Sequence, residues 1–255
     1  MISPWPTCSK LRSGRLSPLC LLACLALMVP ILPAFAATIT GSVRITDSSD
    51  THVRNDKDYS GVAIWLQRAN GPAPPLRPIA AQMAQRKKQF VPRVLAVPAG
   101  STVAFPNFDP IFHNVFSSYS GQVFDVGLYP PRTDQKVRFH RPGVVFVFCN
   151  IHPTMSAVIV VVDTPYMAVS GSDGSFFIEG VEAGDYRLRI FYERATQQVL
   201  QSLERNVSVN SETISLPPIE ISESGYMQAP HKNKYGKDYP AVIEDRPMYP
   251  AGRKP

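Results

Sequence analysis

The stretch Gly143-Val144-Val145-Phe146-Val147-Phe148-Cys149-Asn150-Ile151-His152-Pro153-Thr154-Met155-Ser156-Ala157-Val158-Ile159-Val160-Val161-Val162 decides how this 255-residue chain is to be read. Two runs of β-branched and aromatic residues, Val144–Phe148 and Ala157–Val162, flank a short polar loop. Neither run alternates, so both are expected to be central strands with little solvent on either face. The loop between them carries a thiol, an imidazole and a thioether within seven residues: Cys149, His152 and Met155. Anchored at both ends by strands, such a loop can present all three from one side.

Working upstream, Val91–Val97, Thr102–Phe105, Val115–Ser118 and Lys136–Phe139 are further strand signals, separated by Gly, Pro, Asn or Asp. Their regular spacing predicts an all-β sandwich or small barrel. Nearer the start, Thr38–Ile45 alternates and Gly61–Leu66 is a second strand, with a polar, turn-like Asp47–Asp58 between them. Residues 70–80, with four prolines, read as a connection, and Ala80–Lys88 as a single helical turn. After Asp163-Thr164-Pro165, the hairpin turn Ser172-Asp173-Gly174-Ser175 leads into Phe176–Ile178. Tyr186–Ile190, Val207–Ile214 and Pro218–Ser222 follow. Gly225–Pro255 has no periodicity and reads as a disordered tail.

Composition sets outer bounds. Twenty-five prolines exclude a helical bundle, and a 44% hydrophobic content excludes a wholly disordered chain. Lys10, Arg12 and Arg15 precede an apolar run, Leu16–Phe35, that ends in the small-x-small site Ala34-Phe35-Ala36. This is the pattern of a secretory signal peptide, residues 1–36, cleaved after Ala36. Pro18, Pro30 and Pro33 interrupt the run and argue against a membrane anchor. Leu21-Leu22-Ala23-Cys24 would suit lipid attachment at Cys24, but the apolar run continues past it, which favours ordinary cleavage. The expected location is therefore periplasmic or secreted.

The chain after Ala36 keeps 23 basic and 20 acidic side chains, net +3. It has no basic stripe for nucleic acid and no second apolar span to cross a membrane. Three of the four cysteines lie before Ala36, and Cys149 alone cannot form an internal disulfide.

Two imidazoles and a thiolate in a trigonal set, with a weak axial thioether, define an electron-transfer copper site. The second imidazole is available from His113, at a strand start in Phe112-His113-Asn114-Val115, and Asn114 is placed to hydrogen-bond across to the Cys149 loop. Other chemistries use the same residues. A zinc site wants a fourth N, O or S donor, for which Met is poor. Cysteine-nucleophile catalysis wants a base and an orienting third group. A buried structural thiol needs neither, and Met155 could be core filler. His52, His140 and His231 read as ordinary surface residues.

With these residues in view, the chain resembles the cupredoxins, and among them the amicyanin type, whose ligand loop also reads Cys-x-x-His-Pro-x-Met. Phe90-Val91-Pro92 and Val97 to Asn107 look like the opening strands of that fold, His113-Asn114-Val115 like its first-ligand motif, and Gly143 to Met155 like its last strand and loop. The resemblance covers Lys88 to Asp163. It implies one mononuclear type 1 copper held by His113, Cys149, His152 and Met155, with His152 as the solvent-edge ligand. It also implies a one-electron carrier that is not an enzyme, whose partner is a redox protein acting as donor or acceptor.

The flanks differ. Ile39–Val43 with Val62–Leu66, and Asp173–Phe176 with Ala183–Tyr186, are similar to a carboxypeptidase-regulatory-like sandwich of the Ig/transthyretin kind. The whole resembles secreted proteins labelled methylamine-utilisation-like or plastocyanin-like. The expected organisation is thus a Greek-key cupredoxin sandwich (81–163) inserted in or joined to a second small sandwich (37–80 and 164–222), with a tail from 223. The competing functions are copper binding or delivery without electron shuttling, and a metal-free adhesion or scaffold module.

Overall fold

The computed structural model describes residues 36–118, 121–227 and 230–239. Residues 1–35 of the expected signal peptide, Cys24 among them, and the last part of the expected tail lie outside the described residues.

The chain opens on a long strand, Ala36–Thr46 (β1), passes through a short helical turn at His52–Asp56, and returns in Ala63–Arg68 (β2). Ten short strands follow: Ala80–Gln82 (β3), Ala84–Arg86 (β4), Gln89–Val91 (β5), Val94–Pro98 (β6), Thr102–Pro106 (β7), His113–Ser117 (β8), Phe124–Tyr129 (β9), Asp134–Arg138 (β10), Gly143–Phe148 (β11) and Ser156–Val162 (β12). Met167–Val169 (β13), Ser175–Glu182 (β14) and Gly184–Phe191 (β15) come next. A helix, Gln197–Leu203 (α1), then precedes Arg205–Val209 (β16), Thr213–Ser215 (β17) and Ile219–Ser222 (β18).

The two ends of this series share one core. Ile39, Val43, Ile64 and Leu66 pack with Phe176, Ile178, Tyr186, Leu188 and Ile221, all buried. One of its sheets is built on β1, which pairs antiparallel with β14 on one side and parallel with β17 and then β18 on the other. The other runs β13-β2-β15-β16. Alternation in β1 sends every second side chain inward, which is the pattern a half-buried strand requires. Gly41 breaks it because the Phe176 ring lies against the backbone there: a Cβ would sit 2.4 Å from the ring.

The middle of the chain builds its own core around Phe105, Phe139, Val145, Val147, Cys149, Met155 and Ile159. Its larger sheet runs β6-β12-β11-β8-β9 and its smaller one β10-β7-β3. The unbroken apolar run of β12 has a direct cause. Ala157, Ile159 and Val161 face this middle core, while Val158, Val160 and Val162 pack with Ala63 and Val94 and against Trp65 and Phe191 of the flanking sandwich. A strand apolar on both faces is what a position between two cores demands, and each fully buried Val there contributes about 1.5–3 kcal/mol.

Four sequence expectations are corrected. The helical turn Ala80–Lys88 is instead β3 and β4. The parallel pairing of β3 with β7, and the Met83 N–H donated to the Ala104 carbonyl, override the local preference of Ala, Gln and Lys. Val207–Ile214 is not one strand, because β16 pairs with β15 in one sheet and β17 with β1 in the other. The turn at Ser172–Ser175 joins strands of different sheets, so it is a corner and not a hairpin. Finally, residues 230–239 of the expected disordered tail are folded against the Cys149 loop. Sequence reading also missed β9, β13 and α1, and it ran β5 and β6 together as Val91–Val97.

Candidate metal centre

Along β11, Val145 and Val147 point into the middle core, and the same alternation carries the side chain of Cys149, just past the strand end, to that face. The loop is pinned at its base by the Phe148–Ser156 pair and inside by two backbone bonds. Cys149 N–H donates to the Met155 carbonyl (3.2 Å), and Met155 N–H to the His152 carbonyl (3.0 Å). Strand β8 runs beside β11, with Phe116 opposite Phe148, so its first residue, His113, lies level with the loop.

The thiol and the two imidazoles converge. Cys149 Sγ is 3.9 Å from His113 Nδ1 and 3.7 Å from His152 Nδ1, and the three ligating atoms all lie within 4.8 Å of one another. The imidazole rings meet edge to face, centroids 4.9 Å apart. Bonds of about 2.0 Å to nitrogen and 2.3 Å to sulfur, splayed at about 120°, put the donor atoms roughly 3.7 Å apart. The observed spacings fit a single ion between these donors. Met155, at the far end of the loop, is fully buried in the same core.

Electrostatics favours soft donors kept dry. Burial pushes the Cys149 thiol up, and the backbone N–H groups of Asn114, Ile151 and His152 oppose this by favouring the thiolate. Burial lowers the pKa of His113, against the pull of Asp109, so its imidazole is neutral near pH 7 with a lone pair available. The His113 Nε2 on the far side of the ring is 2.9 Å from Asp109 Oδ2. That carboxylate also accepts the backbone N–H groups of Lys87 (2.5 Å) and Lys88 (2.8 Å) in the β4–β5 turn. Burial alone would raise Asp109, but the bonds from Lys88, His113 and Lys87 hold it below the usual carboxylate range. A carboxylate on the outer nitrogen fixes the tautomer and leaves Nδ1 to bind.

Asn114 joins three elements. Its Nδ2 donates to Asp125 Oδ1 (2.8 Å) and to the Gly127 carbonyl (2.9 Å), and its Oδ1 accepts the Asn150 N–H at 3.3 Å. The His113 strand and the Cys149 loop are thereby tied together across the site.

Of the sequence candidates, His113, Cys149 and His152 come together, with Met155 and Asn114 adjacent. His52 and His140 lie on the surface elsewhere. His152, at 7% exposed, is the one of the three converging residues that is not wholly buried, and one expectation changes: His231 is not an ordinary surface residue but stacks on Phe148. Asp109 was not anticipated. The available signal was an acidic residue four positions before His113, in a loop that also holds Asn107 and Pro110.

The middle sandwich buries a Cys-His-His group at one end, with Cys149 and His152 on the loop between its last two strands and His113 at the start of the strand beside it, and in this all-β arrangement the chain is cupredoxin-like in fold. No protein-family model matches the chain. Over 60 residues it is 38% identical to the methylamine utilization protein MauL of Methylorubrum extorquens, a match covering 23% of this chain and 53% of that one. The chain thus spans about half the length of this curated relative. In structure it is similar to a purple cupredoxin from Nitrosopumilus maritimus (23% identity, TM-score 0.30), over 32% of this chain and 99% of that one. It is also similar to amicyanin from Paracoccus versutus (22% identity, TM-score 0.31), over 38% and 91% of the two chains.

Proposed function

We propose that the chain is a type 1 copper protein that carries single electrons in the periplasm or outside the cell. The observation that carries this reading is the buried triangle that Cys149 Sγ and His152 Nδ1, on a loop that ends in a buried methionine, form with His113 Nδ1 from the neighbouring strand β8. His113, Cys149 and His152 would hold the ion, and Met155, buried in the same core, would supply a weaker fourth donor. When bound, copper supplies a one-electron couple whose potential is tuned by the axial ligand and by the surroundings of the sulfur.

The chain's own residues account for the rest. Asp109 orients the His113 imidazole through its outer nitrogen. The Asn114 bridge and the two bonds inside the loop keep the donors at one spacing, so little rearrangement accompanies a change of charge. Phe105, Phe139 and Val147 form the dry core behind the sulfur, where charge is least screened. With four protein donors no position is left for a substrate, so we read the protein as a carrier and not an enzyme. A redox protein would be its donor or acceptor.

The test is a Cu(II) titration of residues 37–255 beside Cys149→Ser, followed by absorption. An intense visible thiolate-to-copper band that saturates at one equivalent, and is absent in the variant, is expected. A protein that stays colourless while binding Cu(I) would convert the reading to copper handling. Binding of neither ion would sink it.

A further inference from the structure

Residues 230–239 form an ordered strap on the outside of the ligand loop. Its shape is set locally by Asn233. The Asn233 side chain accepts the N–H groups of Tyr235 (3.0 Å) and Lys237 (3.1 Å), and its backbone N–H donates to the Lys237 carbonyl (2.8 Å). Gly236, at φ +73°, closes the turn where a side chain would be strained.

The strap holds the loop at successive points. His231 Nε2 donates to the Pro153 carbonyl (2.7 Å), and its ring stacks on Phe148, centroids 4.1 Å apart. The Lys234 N–H donates to Asn150 Oδ1 (3.0 Å), and Lys234 Nζ pairs with Asp125 Oδ2 (2.8 Å), the carboxylate that also binds Asn114. Tyr239 donates its hydroxyl to the carbonyl of Cys149 itself (2.8 Å). Phe148 lies on the face of its sheet turned away from the middle core. It is 3% exposed there, with Phe116 beside it and the His231 ring stacked on it. The Cys149–Pro153 segment is therefore gripped from outside by the strap and from inside by its own core.

We propose that residues 230–239 are a strap acting in cis, which restrains the ligand loop and has to detach before the loop can open to take up or release its ion. The purpose assigned to the strap rests on the metal reading of Cys149 and His152, but the restraint itself is testable without metal. Cys149 is the one cysteine of residues 37–255, so its labelling by a thiol-reactive disulfide reports opening of the loop in the metal-free protein.

In the full 37–255 chain, His231→Ala with Tyr239→Phe removes two bonds to the loop, and labelling should accelerate on the order of tenfold. Lys232→Ala, whose partner Asp238 lies within the strap, should label at the parent rate. If circular dichroism shows that the double variant is misfolded, Tyr239→Phe alone serves, with roughly threefold acceleration expected. Labelling at the parent rate in a folded variant overturns the strap, whatever the copper titration shows. Faster labelling in a protein that binds neither Cu(II) nor Cu(I) leaves the strap standing and removes the metal reading. Faster labelling together with faster loss of bound copper to a chelator supports both.

Discussion

Asp109→Asn tests whether the site is held from behind. Three donors converge on the Asp109 carboxylate: Lys87 N–H at 2.5 Å, Lys88 N–H at 2.8 Å and His113 Nε2 at 2.9 Å, in a residue only 8% exposed. Asparagine matches the shape but offers one acceptor oxygen, and turns an NH2 group toward at least one of those donors. A buried donor left without an acceptor costs about 1–3 kcal/mol, and the charge-assisted bond to His113 is lost as well. The metal-free variant should therefore be less stable by about 2–4 kcal/mol in urea denaturation. Its copper affinity should fall about 10–100-fold, as removal of a ligand's carboxylate partner typically does. The visible band should persist, since none of the donor atoms changes. A variant within about 0.5 kcal/mol of the parent and equal to it in copper affinity would refute the role given to Asp109.

Because β12 belongs to both cores, the sandwiches should unfold together. The fluorescence of Trp65, the one tryptophan after Ala36, and the absorption of bound copper should give coincident denaturation curves, whereas separate midpoints would show that the two cores are not coupled. Acid should destabilise the metal-free protein in two stages. The pKa of His113 is lowered by burial, so its contribution is present above about pH 6.5 and lost as pH falls toward the folded value. That of Asp109, also lowered, is present above about pH 3.9 and lost below it, and Asp109→Asn should make this second loss smaller in a stability–pH profile, Asp125 and Asp173 being lowered too. Gly174→Ala should cost about 2 kcal/mol or more by thermal denaturation, because the residue is at φ +82° and a Cβ there would stand 2.2 Å from the Val43 carbonyl oxygen.

The candidate donors could be picked out because their chemistry is rare and their spacing local: three of the four proposed fall within seven residues, and the runs on either side are long enough to read as strands. Asp109 was not legible, since its role depends on the β4–β5 turn folding over it, and that turn lies in a segment whose local preference pointed to helix. Strand β9 was hidden by Asp125 and Gly127, whose polar and flexible character serves the Asn114 bridge and not the strand pattern. The strap was invisible for another reason. Nothing in the composition of residues 230–239 favours order, and their order comes from Asn233 closing a turn and from the Phe148 ring and loop carbonyls on which they rest.

The join between the sandwiches has a consequence for how such a chain can change. The path leaves the flanking sandwich after β2 and re-enters it at β13, and beside these points Gln67 Nε2 donates to Asp163 Oδ2 at 3.1 Å. The middle unit is in polymer terms a loop whose ends are already clasped. The entropy of closing a loop grows only with the logarithm of its length, about 0.6 kcal/mol for each doubling. A frame closed in this way bears a long insert at nearly the same entropic cost as a short one, so the turns within residues 69–163 could lengthen or shrink with little effect on the frame, provided that β12 keeps the apolar face it packs against Trp65 and Phe191.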